Sequence, residues 1–262
     1  MTFEIAEEQL ATLIPKLNTQ DFSEQFVNWL RKCLKCDNVA VIAYFQDRNP
    51  TVLKSFSNHP SVHAKLYTEY VSVAYLLDPF HDLHIKRAQR GVYRLADIAP
   101  DHFQRNQYFI TYYRKTTLVD EIAFISYPAK GVSIQTCLGR DSNSNIRFSS
   151  KELRKASRIA PIVSAFTETH WSTLSTTGTY LESETVYRLL KAVEKVHGVR
   201  ITLRQAEVAM FILRGHSSTS IGLQMKISRQ TVKVFRRQLY KRLTISSQAE
   251  LFNHLLPLLN HS

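Results

Sequence analysis

Phe22, Phe26, Val27, Leu30 and Leu34 recur at the three-to-four spacing of one helix face, which predicts an amphipathic helix over residues 22–34. The pattern then changes. Residues 38–45 are β-branched and aromatic and read as a strand, which residues 51–57 can pair with across the turn Asp47-Arg48-Asn49-Pro50. A helical pattern returns over 62–77 and stops at Asp78-Pro79, because the residue before a proline disfavours the helical region. Residues 103–114 predict another helix. Residues 121–127 and 133–138 then predict two strands of a hairpin about Lys130-Gly131. Ser149 followed three residues later by Glu152 is a capping box, and it opens a long helix reaching toward Trp171. Strands in the middle with helices at both ends predict an α/β/α sandwich rather than a doubly wound sheet.

Residues 172–185 are rich in hydroxyls and poor in core residues, so they read as a linker between a domain over 1–171 and a second over 186–262. In the second domain Thr202 and Gln205 form a further capping box. The apolar stripe Val208, Phe211, Ile212 that follows ends at Gly215, a natural helix terminator. A short helix over about 218–225 points Ile221 inward. Lys226-Ile227-Ser228 makes a tight turn, and Ser228 is suited to cap a third helix. There Val232, Phe235, Leu239 and Leu243 form the buried stripe, while Lys233, Arg236, Arg237 and Tyr240 point away from it. Two short helices joined by a turn, the second with a cationic outer face, predict a helix-turn-helix. The fold class is therefore α/β (α+β): a sandwich followed by an all-α domain of four helices.

Charge sharpens this division. The chain of 262 residues carries a formal +12, and +10 of it lies from residue 186 onward, where 13 basic residues face only Glu194, Glu207 and Glu250. The other 185 residues are nearly neutral at +2. Such asymmetry predicts a polyanion-binding module attached to an electrically ordinary domain. Three cysteines, an odd number, suit a reducing compartment. No stretch approaches the roughly 18 apolar residues of a membrane span. The acidic start, Met-Thr-Phe-Glu-Ile-Ala-Glu-Glu, lacks the basic-then-apolar layout of a signal peptide, so a cytoplasmic protein is expected.

The C-terminal motif resembles the LuxR-type (NarL/GerE-like) DNA-binding domain. The residues that carry the resemblance are Ile201-Thr202-Leu203-Arg204-Gln205-Ala206-Glu207-Val208, Gly215, Ile221-Gly222, Ile227-Ser228-Arg229-Gln230-Thr231-Val232-Lys233 and Arg242-Leu243, with Ala249-Glu250-Leu251 opening the fourth helix. Gln205, Gly222, Phe235 and Gln248 depart from the usual Glu, Ala, His and Arg. The resemblance implies that Lys233, Val234 and Arg237 face base edges in the major groove of double-stranded DNA. Arg229, Thr231, Arg236 and Lys241 are then left to hold phosphates. A homodimer is expected, since one short helix reads few base pairs, and RNA polymerase is a further candidate partner.

Many regulators of this type carry a ligand-sensing domain before the helix-turn-helix, and residues 1–171 look similar to that of the acyl-homoserine-lactone receptors. The lactone signature is broken, however. Counting from Asp78, Lys65 and Tyr93 stand where tryptophans belong and Glu69 where a tyrosine belongs, while Trp29 and Trp171 lie elsewhere. Tyr70, Tyr75, Phe80, Tyr93 and Tyr113 are candidate aromatic walls for a small-molecule effector. Asp78, with Glu121 beside Asp120 as a second acidic point, is a candidate anchor for an amine-bearing or amino-acid-like metabolite. The alternatives are that Asp78 caps a local turn and the tyrosines are core.

Nothing in the sequence points to a catalytic set, a resident metal or a cofactor. Cys33-Leu34-Lys35-Cys36 has no second pair to complete a zinc site and sits at a helix end, which disfavours a redox role. His59, His63, His81 and His84 lack a clear third metal ligand. The expected function is a ligand-responsive transcriptional regulator. A lactone quorum-sensing receptor, a DNA-tethered enzyme and a ligand-independent architectural binder are the alternatives.

Overall fold

The computed structural model describes residues 9–176 and 182–259. Residues 1–8, with their acidic pattern, and 177–181 of the expected linker lie outside the described residues. The chain divides into two compact units: 1–71, 80–98 and 115–179 form one, and 72–79, 99–114 and 180–262 the other.

The first unit is built on a five-stranded antiparallel sheet. Its strands are β1 (Asn38–Phe45), β2 (Thr51–Ser57), β3 (Gly91–Arg94), β4 (Leu118–Ala129) and β5 (Val132–Asp141), in spatial order β2-β1-β5-β4-β3. The central pair β1 and β5 runs in unbroken register from Asn38↔Gly139 to Phe45↔Val132, and both strands are buried at every position. Side chains alternate across a strand, so β1 sends Val39, Val41, Ala43 and Phe45 to one face and Ala40, Ile42 and Tyr44 to the other. On the first face they meet α1 (Phe22–Leu34) and α5 (Ser150–His170) in one hydrophobic core with Ile122, Phe124, Ile134 and Leu138. Trp29 and Trp171 belong to this core: Trp29 lies 6.0 Å edge-on from Phe166, and Trp171 5.9 Å from Phe22. The capping box of α5 forms as the sequence requires, with Ser149 and Glu152 each accepting from the other's backbone N–H.

The second face is more polar. Gln135 donates to the Phe80 carbonyl at 2.6 Å, and His84 Nδ1 lies 2.7 Å from Ser133 Oγ, which holds α2 (Pro79–Ile85) on the sheet. Tyr44 and Tyr70 share a short hydroxyl–hydroxyl bond here, and His81 and His84 stack at 5.9 Å. Burial pushes the His84 imidazole down from 6.5 to about 4, a shift that the nearby Arg87 charge assists. Between pH 6.5 and 4 the unfolded chain therefore binds a proton that the folded one refuses, and folding weakens as pH falls through that window. Thermal midpoints are expected to drop across it, and His84→Gln should flatten the drop if the Ser133 contact is kept. An unchanged slope would assign the acid sensitivity to other groups.

Two predicted helices break up, and three short elements go unpredicted. Residues 62–77 do not form one helix but short turns at Pro60–His63, Leu66–Tyr70 and Ala74–Leu77. Ala74, Tyr75, Leu76 and Leu77 are all buried, and a surface helix cannot hide four consecutive side chains on one face. Residues 103–114 likewise split into Phe103–Arg105, α4 (Gln107–Thr111) and the start of Tyr113–Thr116. The break falls at Asn106, whose side chain caps α4 by accepting from the Phe109 N–H at 2.7 Å. The edge strand β3, α2 and the one-turn α3 (Leu95–Ile98) were not legible, each being too short to show a period.

The Cys33 and Cys36 thiols are buried at the end of α1, and burial pushes Cys36 up to about 12. A thiol so held is a packing group, since the thiolate is the reactive species.

Candidate functional site

The second unit holds five longer helices: α6 (Glu182–His197), α7 (Leu203–Arg214), α8 (Ser218–Met225), α9 (Arg229–Leu243) and α10 (Gln248–Leu259). Four of them are begun or ended by devices that the sequence displays. Thr202 and Gln205 close the capping box of α7, at 3.2 and 2.9 Å. Gln205 departs from the family's Glu with a gain: its amide also donates to Gln238 on α9 at 3.0 Å, which a carboxylate cannot do. Gly215 ends α7 at φ +93°, where a Cβ would be strained and would meet Asn106 Nδ2 at 2.6 Å. Gly222 explains the missing Ala: a Cβ there would approach the Ile227 carbonyl to 2.8 Å, so the α8–α9 turn packs closer than Ala allows. Gln248, in place of Arg, donates to the Ile212 carbonyl at 3.0 Å.

The segments 72–79 and 99–114 are stitched to the C-terminal end of α7. Buried Asn106 donates to the Arg214 carbonyl at 3.1 Å, His102 N–H to the Gly215 carbonyl at 3.0 Å, and buried Arg214 Nε to the Leu76 carbonyl at 3.1 Å. Helix-end carbonyls that lack an intrahelical partner are satisfied in this way.

Helix α9 carries six basic residues and no acidic one. Ser228 caps it by accepting from the Thr231 N–H at 2.9 Å, and the two hydroxyls lie 2.8 Å apart. Val232, Leu239 and Leu243 anchor it in the unit, with Phe235 half-buried rather than fully buried. Lys233 and Arg237, one turn apart, are exposed together, with Val234 half-buried beside them. Arg236 lies over the Tyr240 ring at 5.1 Å, and burial raises the Tyr240 phenol, so it stays neutral under the guanidinium. Arg229 and Lys241 are exposed, and Thr231 is half-buried.

A pocket of about 360 Å³ joins Arg229 and Arg236 to the start of α8 and to Asp101. Asp101 Oδ1 accepts from the Ser217 N–H at 2.9 Å, where helix backbone donors and dipole favour negative charge. Burial opposes its ionisation, but the Ser217 hydrogen bonds outweigh that and hold the carboxyl below its ordinary value.

The sensor candidates spread over both units. Tyr70, Phe80, Tyr93 and Glu121 belong to the first; Tyr75, Asp78 and Tyr113 to the second. Tyr70, Tyr75, Phe80 and Tyr113 are buried, while Asp78, Tyr93 and Glu121 are half-buried. The Tyr93 hydroxyl donates to the Gln89 carbonyl at 2.8 Å. Asp120 is committed to structure. Arg94 grips it through two hydrogen bonds of 3.0 and 2.8 Å, and the Phe148 N–H adds a third at 2.9 Å. Sequence reading missed a larger pocket of about 590 Å³ in the first unit, lined by Arg87, Arg90, Lys130, Tyr127, His84 and Gln46 among others. The run Lys86-Arg87-Ala88-Gln89-Arg90 was the available signal.

Residues 200–255 match the family described as bacterial regulatory proteins, luxR family. A curated protein of Aeromonas salmonicida, described as an HTH-type transcriptional regulator in the exeN 3'region, is 29% identical over 189 residues, covering 68% of this chain and 93% of that protein. Among solved structures, the VqsR LBD domain of Pseudomonas aeruginosa aligns with TM-score 0.54 and 22% identity over 64% of this chain and 98% of its own, a likeness of fold. The helix-turn-helix geometry and the cationic face of α9 fall within the matched residues, so residues 200–255 are a regulatory domain of the luxR family, in a chain similar to an HTH-type transcriptional regulator.

Proposed function

We propose that this regulator is an effector-responsive DNA binder of the cytoplasm that acts as a homodimer and performs no catalytic step. The observation that carries the DNA half is the outer face of α9, which holds six basic residues and no acidic one opposite its buried anchors. Lys233 and Arg237, exposed on that face, and the half-buried Val234 beside them read base edges; Arg229, Thr231, Arg236 and Lys241 flank them and hold phosphates. Support for the sensing half is the fold shared with the VqsR domain, together with a small-molecule-sized cavity in the first unit. An effector acts by binding the DNA-competent arrangement and its alternative with different affinity. Fluorescence anisotropy on duplex DNA across a salt series tests the reading. The expected affinity falls steeply with salt, by about 0.9 in log–log slope per phosphate contacted. A folded protein without salt-sensitive duplex binding would sink it.

Asp101 sits where a backbone phosphate would come to the start of α8, beside the phosphate candidates Arg229 and Arg236. Phosphate and carboxylate then compete for one N–H. Asp101→Asn is expected to tighten duplex binding about two- to fivefold, the scale of a charge at a helix terminus. Unchanged or weaker binding would place that helix start away from DNA.

A further inference from the structure

We infer that the 590 Å³ pocket of the first unit is a site for a small dianionic metabolite, a phosphate monoester or a dicarboxylate. The inference rests on the effector-sensing reading above and gives it a ligand class. Three cations line the pocket: Arg87 and Arg90 from the turn after α2, and Lys130 from the tip of the β4–β5 hairpin. Among the described residues no carboxylate lines it. Arg90 is paired with Glu168 at 2.6 Å from outside the lining, whereas neither Arg87 nor Lys130 makes an ion pair among the described residues. Two positive charges are thus left facing the same cavity. Like charges gathered in one concavity repel, and an anion of two charges relieves that repulsion while gaining both as partners.

The walls are fixed before any ligand arrives. The Tyr127 hydroxyl donates to the Ala88 carbonyl at 2.6 Å and the Tyr93 hydroxyl to the Gln89 carbonyl at 2.8 Å, which ties down the turn bearing both arginines. Glu168 accepts from the Tyr127 N–H at 2.9 Å as well as from Arg90, so one carboxylate orients the ring and the guanidinium together. The Gln46 N–H holds the Gly131 carbonyl at 3.0 Å and fixes the hairpin tip that carries Lys130. With those carbonyls engaged, the charged groups left to meet a ligand are the Arg87 guanidinium, the remaining N–H groups of Arg90 and the Lys130 ammonium, with the side-chain amides of Gln46 and Gln89 beside them able to donate or accept. Burial pushes the Tyr127 phenol up to about 12, so the wall adds no negative charge of its own. The volume lies in the range of small-molecule sites, about 300–1,000 Å³. An amine is disfavoured here by the same charges, and Asp78, the anchor that the sequence suggested for one, belongs to the other unit.

Isothermal titration of the full chain tests this with succinate, glycerol 3-phosphate and inorganic phosphate as dianions and putrescine as the cationic control, at constant ionic strength. Arg87→Gln and Lys130→Gln are combined in one variant, whose far-UV circular dichroism and thermal midpoint report folding. Expected is saturable binding of at least one dianion, weakened about tenfold or more in the variant, with ligand-free duplex affinity unchanged. Dianion binding that survives in the folded variant would place the anion elsewhere, on the cationic face of α9 for example, and overturn the assignment. Putrescine binding without dianion binding would overturn the ligand class while leaving effector sensing intact. Silence from every dianion at millimolar concentration would overturn the assignment as well. The sensing reading fails separately, if no stabilising metabolite of any charge alters duplex affinity.

Discussion

Arg237→Ala is expected to lower affinity for the preferred operator by about 1–3 kcal/mol while barely changing binding to unrelated duplexes. Lys233→Ala should behave alike. Both side chains are exposed on one face of α9, one turn apart, so both reach the same stretch of groove without leaving the helix. Arg and Lys donate to guanine O6 and N7, and each wrong base pair then costs the contact. Arg229→Ala and Lys241→Ala should instead weaken all duplexes together and shallow the salt dependence by about one unit of slope each. Arg236 is held over Tyr240, so its guanidinium is presented with less freedom than its neighbours. Anisotropy on matched and scrambled duplexes separates the two classes. Uniform weakening by Arg237→Ala would move Arg237 to the phosphate group.

Asp120→Ala carries the largest expected effect on stability. Its side chain is only 4% exposed, and three hydrogen bonds converge on it from Arg94 and the Phe148 backbone. Removing the carboxylate strands a guanidinium 21% exposed and a backbone N–H at the base of α5. Breaking a buried pair in this way costs about 3–5 kcal/mol, which in a chain of this length lowers the thermal midpoint by roughly 10 °C. Asp120→Asn keeps an acceptor for Phe148 and should lose less. A midpoint within about 2 °C of the parent protein for Asp120→Ala would show that solvent reaches Arg94 and replaces the lost partner.

Local rules were strong enough to be read wherever one chemical device sets one backbone feature. The helix 22–34, strands 38–45 and 51–57, the capping boxes at Ser149 and Thr202, the stop at Gly215 and the cap at Ser228 all stand as the residue pattern predicts. So do the hairpin about Lys130-Gly131 and the helix-turn-helix, where Val232, Leu239 and Leu243 are buried and Lys233 and Arg237 exposed as spacing along α9 predicts, while Phe235, Arg236 and Tyr240 are each half-buried. Reading failed where burial came from two sides at once. Ala74–Leu77 is apolar throughout and therefore looks helical, yet all four side chains are buried and the backbone turns instead.

What the sequence determined alone was thus the set of elements with their own period or cap, and the sign and position of the charge that marks the DNA-binding end. Tertiary structure alone decided which polar groups are spoken for. It committed Asp120 to Arg94, set Asp101 at the start of α8, and left Arg87 and Lys130 facing an unneutralised cavity. The reason is physical: a cap or a stripe is settled within a few residues of chain. An ion pair or a pocket needs partners brought from distant positions, and only the folded backbone fixes those meetings.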